Sequence, residues 1–264
     1  MQKHKTSGSI ITDPFDILYE QKRFYQELYK GHIKKADNMQ AKNFLNNLNI
    51  PSLTEQQMLS CEGEITSKEC AYALETFQLN KAPGNDGIPI EFCKKVWSLV
   101  SEPFIRCANE CFEKGEMSSF KKQAVIALIE KKRKDRSFLE NWRPISFVNV
   151  DAKIMSKVLA TRINNVPPDI INYNQSGFVK DRCIGETVRS IFDLMDFTLK
   201  ENIPGLMILI DFHEAFDSVE WNYLVIWLEA FRFGPDFIRW TKTLNKNIQS
   251  CWSEIYVCPA WNSR

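Results

Sequence analysis

Apolar positions recur at helical spacing from the first turn after Asp13. Asp13-Pro14 supplies an N-cap and a proline at the first helical position. The segment that follows carries Leu18, Tyr25 and Tyr29 on one side, with Ile17, Phe24 and Leu28 beside them, until Gly31 stops it. A weaker helix is predicted over about 36–48, ending before Pro51. Thr66 and Glu69 form a capping box ahead of Cys70, Ala73, Leu74 and Phe77. LNKAPGNDGIP (79–89) is a punctuation cluster that predicts a loop with tight turns. A long helical pattern then runs from Ile90 to Phe112, interrupted at Pro103 and closed by Gly115.

Strand patterning begins at QAVIALIE (123–130), which runs into the basic stretch KKRKDR (131–136), and NWRPIS (141–146) starts a second extended segment. A helix over about 151–165 is expected to bury Ile154, Val158, Leu159 and Ile163, with Lys153, Lys157 and Arg162 outward. QSGFVKDR (175–182) is turn-like and leads into a helix with Ile184, Val188, Ile191 and Met195 as its inner face. Leu206 to Ile210 is all apolar, is bounded by Pro204-Gly205, and ends on Asp211; this predicts a strand buried on both faces. Helices at about 219–231 and 236–248 and a last apolar stretch, SEIYVC, complete the pattern. Strands joined by helices behind an all-helical N-terminal third give an α+β or mixed α/β class.

Composition narrows the function classes. With 264 residues and 44% hydrophobic content the chain can bury one or two cores. Its net charge of +1 names no partner, so only local clusters can. Eight cysteines without a C-x-x-C pair, and three histidines, argue against structural zinc and fit reduced thiols in an intracellular protein, cytoplasmic or nuclear. The N-terminus lacks the apolar segment of a signal peptide, and no run reaches membrane-spanning length.

The chemistry-bearing residues each admit two readings. A carboxylate such as Asp211 at a strand end is either a cap or a Mg²⁺ ligand of the kind used in phosphoryl transfer. Asp217 also fits as a dipole partner of the following helix. The basic run is either a nucleic-acid grip or a solvated hairpin tip. Arg143, beside Trp142 and before Pro144, could hold a phosphate bidentately or pair with a carboxylate.

Their order decides more than any one of them. NKAPGNDGIPIEF, VIALIEKK, NWRPISFVNVDAKIMSKVLATRI, NQSGFVKDRCIG and LIDFHEAFDSVEW follow one another, behind the helix ILYEQKRFYQELY. From about residue 15 to about 250 the chain resembles the reverse transcriptase of non-LTR (LINE-type) retrotransposons. The resemblance implies a right-hand polymerase fold, fingers plus partial palm (63–264), behind a helical N-terminal extension (1–62). It implies RNA-directed DNA polymerase activity on an RNA template and DNA primer with dNTPs. Two Mg²⁺ ions would be held by Asp211 and the Phe212 carbonyl. Phe216 matches the position that excludes a 2′-hydroxyl, Lys131 and Arg143 the triphosphate clamp, and Gln175, Gly177 and Phe178 the template and nucleotide pocket. The 79–91 loop, with Lys81, matches a template-contacting block. Lys132, Arg133, Lys134, Arg162, Lys180 and Arg182 would hold RNA electrostatically.

Departures from the family pattern cut the other way. Glu130 replaces a usual Pro, Glu214 a usual Lys, and Asp181 a usual Gly. An acidic group beside the substrate should weaken nucleotide binding by about 1 kcal/mol. No Asp-Asp pair occurs anywhere in the chain. A single Asp cannot position two Mg²⁺ ions about 4 Å apart. The expectation is therefore a reverse-transcriptase fragment inactive alone. The alternatives are a non-catalytic RNA-binding remnant or an unstable pseudogene product with an unpaired sheet edge.

Overall fold

The computed structural model describes residues 2–3, 10–29, 35–166, 170–212, 215, 219–246 and 249–251. The chain forms a mixed α/β structure of two compact units that alternate along the sequence. One comprises residues 1–33, 63–159 and 235–264, the other 34–62 and 160–234.

In the first unit β1 (Gln2–Lys3) pairs antiparallel with β2 (Ile10–Ile11). Helix α1 (Pro14–Leu28) starts as its sequence dictates, Asp13 accepting from the Phe15 and Asp16 amides at 2.9 and 3.2 Å. Two later helices of this unit are α4 (Ser67–Thr76), with the Thr66–Glu69 capping box, and α5 (Ile90–Lys114). Pro103 does not break α5, which runs unbroken for 25 residues to a left-handed cap at Gly115, φ 62°. Strand β3 (Gln123–Glu130) pairs antiparallel with β4 (Trp142–Val148) and parallel with β5 (Gln249–Cys251). The alternation of β3 turns Ala124, Ile126 and Leu128 inward. Ile126 and Leu128 cluster with Tyr25 of α1, flanked by Phe24, Leu28, Leu139 and Trp142. Phe24, Tyr25 and Leu28 of the α1 stripe thus pack on the hairpin, while Tyr29 stays exposed. Helix α9 (Pro235–Asn245) buries Trp240 completely. Its ring stacks on Phe112 at 4.7 Å, and its indole N–H donates to the Gly63 carbonyl at 3.1 Å.

In the second unit α2 (Lys35–Asn46) packs on α8 (Trp221–Ala230), and Leu45, Leu53, Ile226, Leu228 and Phe233 are buried. A short helix that the apolar pattern gave no hint of, α3 (Glu55–Cys61), is opened by a Thr54–Gln57 capping box. Helix α6 (Val150–Asn164) belongs to the first unit through Leu159 and to the second from Ala160. Helix α7 (Ile184–Lys200) contains no buried residue.

Three expectations are corrected here. The last turn of α6 is rotated from the expected facing. Arg162 is only 6% exposed and continues the inward stripe of Met155, Val158, Leu159 and Val166, while Ile163 is the exposed one. The Arg162 guanidinium can sit inside because it donates to the Cys61 carbonyl at 3.0 Å. The intended inner face of α7 is present as a stripe, but Ile184, Val188 and Met195 are exposed. The buried strand expected over 206–210 is absent: the segment joins no sheet among the described residues, and Leu206 is 86% exposed. Backbone donors and acceptors of an extended run need a neighbouring strand before its side chains can be enclosed. The stretch SEIYVC lies outside the described residues.

Candidate nucleic-acid interface

The β3–β4 hairpin fixes its basic tip by internal bonds. The Lys131 amide donates to the Asn141 carbonyl at 2.8 Å, and its ammonium to the Glu140 carbonyl at 2.7 Å. Lys131 is thereby turned onto the end of its own hairpin. Arg133 holds a left-handed backbone, φ 63°. The Asp135 carboxylate accepts from the Ser137 amide at 2.9 Å, and its carbonyl from Asn141 Nδ2 at 2.8 Å. The Trp142 indole donates to the Arg136 carbonyl at 3.0 Å. Lys132, Arg133 and Lys134 remain exposed on this braced turn.

Glu130, the acidic departure beside Lys131, is paired with Arg136, whose Nη2 donates to its carboxylate at 2.9 Å. By strand alternation Glu130 also belongs to the Ile126–Leu128 face. Arg143 lies opposite Ile129 in the register, on the other face, and is exposed there with Ile129 and Ile145.

Asn149, missed by the motif reading, builds the PGNDG loop. It is 1% exposed, accepts from the Asp86 amide at 3.2 Å and donates to the Phe120 carbonyl at 3.3 Å. Gly84 presses against it: a Cβ on Gly84 would stand 2.6 Å from Asn149 Cα, so only glycine fits. Lys153 reaches the Ala82 carbonyl at 3.2 Å, and burial holds its ammonium below the ordinary lysine value against the attraction of Asp86. Behind the loop is a cavity of about 230 Å³ lined by Asp86, Ile88, Trp97, Phe104, Phe120 and Asp151. Asp151 pairs with Lys121 at 2.6 Å. Burial works against the Lys121 charge, but the carboxylate outweighs it and its pKa ends above the ordinary value. Lys81 is exposed on the same loop.

In the second unit, Gln175, Ser176, Gly177 and Phe178 form one turn. Gln175 Nε2 donates to the Gly177 carbonyl at 3.1 Å, Ser176 and Thr187 share a hydroxyl contact of 2.6 Å, and Phe178 is 94% exposed at φ 62°. Lys180 is exposed, whereas the Arg182 guanidinium faces back into the loop, donating to three of its carbonyls.

Asp211 and the 76%-exposed Phe212 stand on the open run. His213, Glu214, Phe216, Asp217 and Ser218 lie outside the described residues. Among the described residues no three His, Cys, Asp or Glu side chains gather as a metal site. Asp211 by itself does not fit a pair of Mg²⁺ ions. The hairpin therefore joins Lys131 to Lys134 with Arg143, the turn joins Gln175 to Phe178 with Arg182, and Asp211 belongs to a third segment.

A family model described as reverse transcriptase (RNA-dependent DNA polymerase) matches residues 129–262. The chain belongs to that family. It is 33% identical over 237 residues to a 149 kDa protein of transposon TX1 of Xenopus laevis, covering 90% of this chain and 18% of that protein. It is 26% identical over 166 residues to a 115 kDa protein in the type-1 retrotransposable element R1DM of Drosophila melanogaster, covering 59% of this chain and 16% of the relative. A retrovirus-related Pol polyprotein from the type-1 retrotransposable element R1 of Bradysia coprophila is 21% identical over 168 residues, 63% of this chain and 16% of its own length. The resemblance to non-LTR retrotransposon reverse transcriptases stands on these relatives. The chain spans under a fifth of the length of each of them.

Proposed function

We propose that this chain is the nucleic-acid-holding region of an RNA-directed DNA polymerase from a non-LTR retrotransposon, with one carboxylate of its metal site. The functional division is fingers and partial palm over 63–264 behind a helical extension over 1–62. The observation that carries the reading is the tip Lys132-Arg133-Lys134, exposed on a hairpin inside the family-matched region, its backbone held by its own hydrogen bonds. A cationic tip with a fixed backbone meets RNA phosphates without first being ordered. Lys81 and Lys180 extend that role, and Arg162 is left out of it because it is buried.

Arg143 is the triphosphate contact, joined by Lys131 once its ammonium leaves the Glu140 carbonyl. Glu130 weakens that site less than its charge suggests, because Arg136 holds it. Gln175, Gly177 and Phe178 form the template and nucleotide pocket, and Phe216 the gate against a 2′-hydroxyl. Asp211, with the Phe212 carbonyl, is the Mg²⁺ ligand this chain contributes, and a template, primer and dNTPs are the substrates.

Fluorescence anisotropy with a single-stranded RNA, titrated over salt, tests the holding role. Lys132→Gln, Arg133→Gln and Lys134→Gln together should flatten the slope of log K against log salt by about 2, near 0.7 per lost phosphate contact. An unchanged slope removes the tip from the RNA surface.

A further inference from the structure

Arg182 stands two positions after the exposed Lys180 and reads from sequence as another phosphate contact. Its surroundings say otherwise. Nη1 donates to the Asn172 and Gln175 carbonyls at 2.6 and 2.8 Å, and Nη2 to the Ile171 carbonyl at 2.9 Å. Those carbonyls bracket the approach to the QSGF turn, a stretch without strand or α-helix to satisfy its backbone. Three carbonyl dipoles converging on one point repel one another unless a cation with several donors lies between them. The planar guanidinium provides that fork, and an ammonium does not. Two neighbours extend the brace: the Gln175 amide closes on the Asn172 carbonyl at 3.0 Å, and the Asn174 amide on Asn172 Oδ1 at 3.0 Å. What the brace presents is Phe178, an aromatic residue in the left-handed region with its ring in solvent. A bulky residue keeps that backbone only where its surroundings over-determine it.

We infer that Arg182 is a positioning residue: it clamps the 171–178 turn from within through three carbonyls, fixes the presentation of Phe178, and does not contact RNA phosphate. The consequence for RNA rests on the proposed nucleic-acid role; the clamp itself does not.

Hydrogen–deuterium exchange on the full chain reads the clamp without RNA. Arg182→Gln and Arg182→Lys should each speed exchange across 171–178 by at least about tenfold, with peptides of 123–148 unchanged as the folding control. Lysine keeps the charge, so a phosphate contact would survive in that variant while the clamp would not. Should Arg182→Gln fail to fold, Arg182→Lys alone decides. Salt titration of RNA binding adds a second arm. Both variants should lower affinity at an unchanged salt slope, and adding Phe178→Ala to Arg182→Gln should cause no further loss. Wild-type exchange across 171–178 in the Lys variant overturns the inference, as does a slope flattened by about 0.7 in the Gln variant with affinity retained in the Lys variant. If the wild type binds no RNA, the nucleic-acid role falls while the exchange result still judges the clamp.

Discussion

Residues 124–129 (AVIALI) and 206–210 (LMILI) are two apolar runs of similar length and almost the same chemistry. The first is the middle strand of a sheet, with β4 on one side and β5 on the other, and it sets Ile126 and Leu128 against Tyr25. The second pairs with nothing among the described residues and leaves Leu206, Leu209 and Ile210 in solvent. Hydrophobicity is therefore not what separates them. A strand's polar backbone must find ladder partners before its side chains can be enclosed, and among the described residues only the first run has them. The contrast matters for function because the paired run carries the basic tip, while the open one carries Asp211.

The largest expected break in this contrast comes from trimming both runs alike. Ile126→Ala should cost about 2–5 kcal/mol, whereas Ile208→Ala should stay within about 0.5 kcal/mol, both read by urea unfolding. Equal losses would mean the second run is enclosed in solution. Next is Gly84→Ala, which forces a methyl into the Asn149 backbone and should cost about 1–3 kcal/mol in the same assay. Arg162→Met should cost about 1–3 kcal/mol, because it leaves the Cys61 carbonyl without that donor; a neutral result would return Arg162 to the surface.

The smallest effect is alkaline. Burial pushes the Cys61, Cys93 and Cys111 thiols above their ordinary value of 9.0. The unfolded chain then releases protons first as pH rises, so stability should fall from about pH 9 upward. Replacing the three with alanine should flatten that decline in thermal melts taken from pH 8 to 10, a window set by the ordinary thiol value.

The sequence made local features legible. The Asp13 and Thr66 caps, the Gly115 stop, the strand 123–130 and the extent of α9 to within a few residues all depend on neighbours in the chain. What it hid depends on distant partners. Nothing near Arg162 announces that the Cys61 carbonyl will receive it, 101 positions away. Nothing near Asn149 announces that Gly84 and Asp86 will close on it. Glu130 looked like a liability beside Lys131, and strand alternation with Arg136 removed it to the other face. A capping box at Thr54 was readable in principle, but the seven residues it starts are too few for apolar periodicity to register.

The central proposal is that this chain holds nucleic acid and that Asp211 is one ligand of a polymerase metal site, insufficient by itself for two Mg²⁺ ions. Primer extension on an RNA template with Mg²⁺ and dNTPs, run beside Asp211→Ala, tests it most directly. The account predicts no extension above background from either protein, under conditions where the RNA is bound. Extension by the wild type that disappears in Asp211→Ala would contradict it.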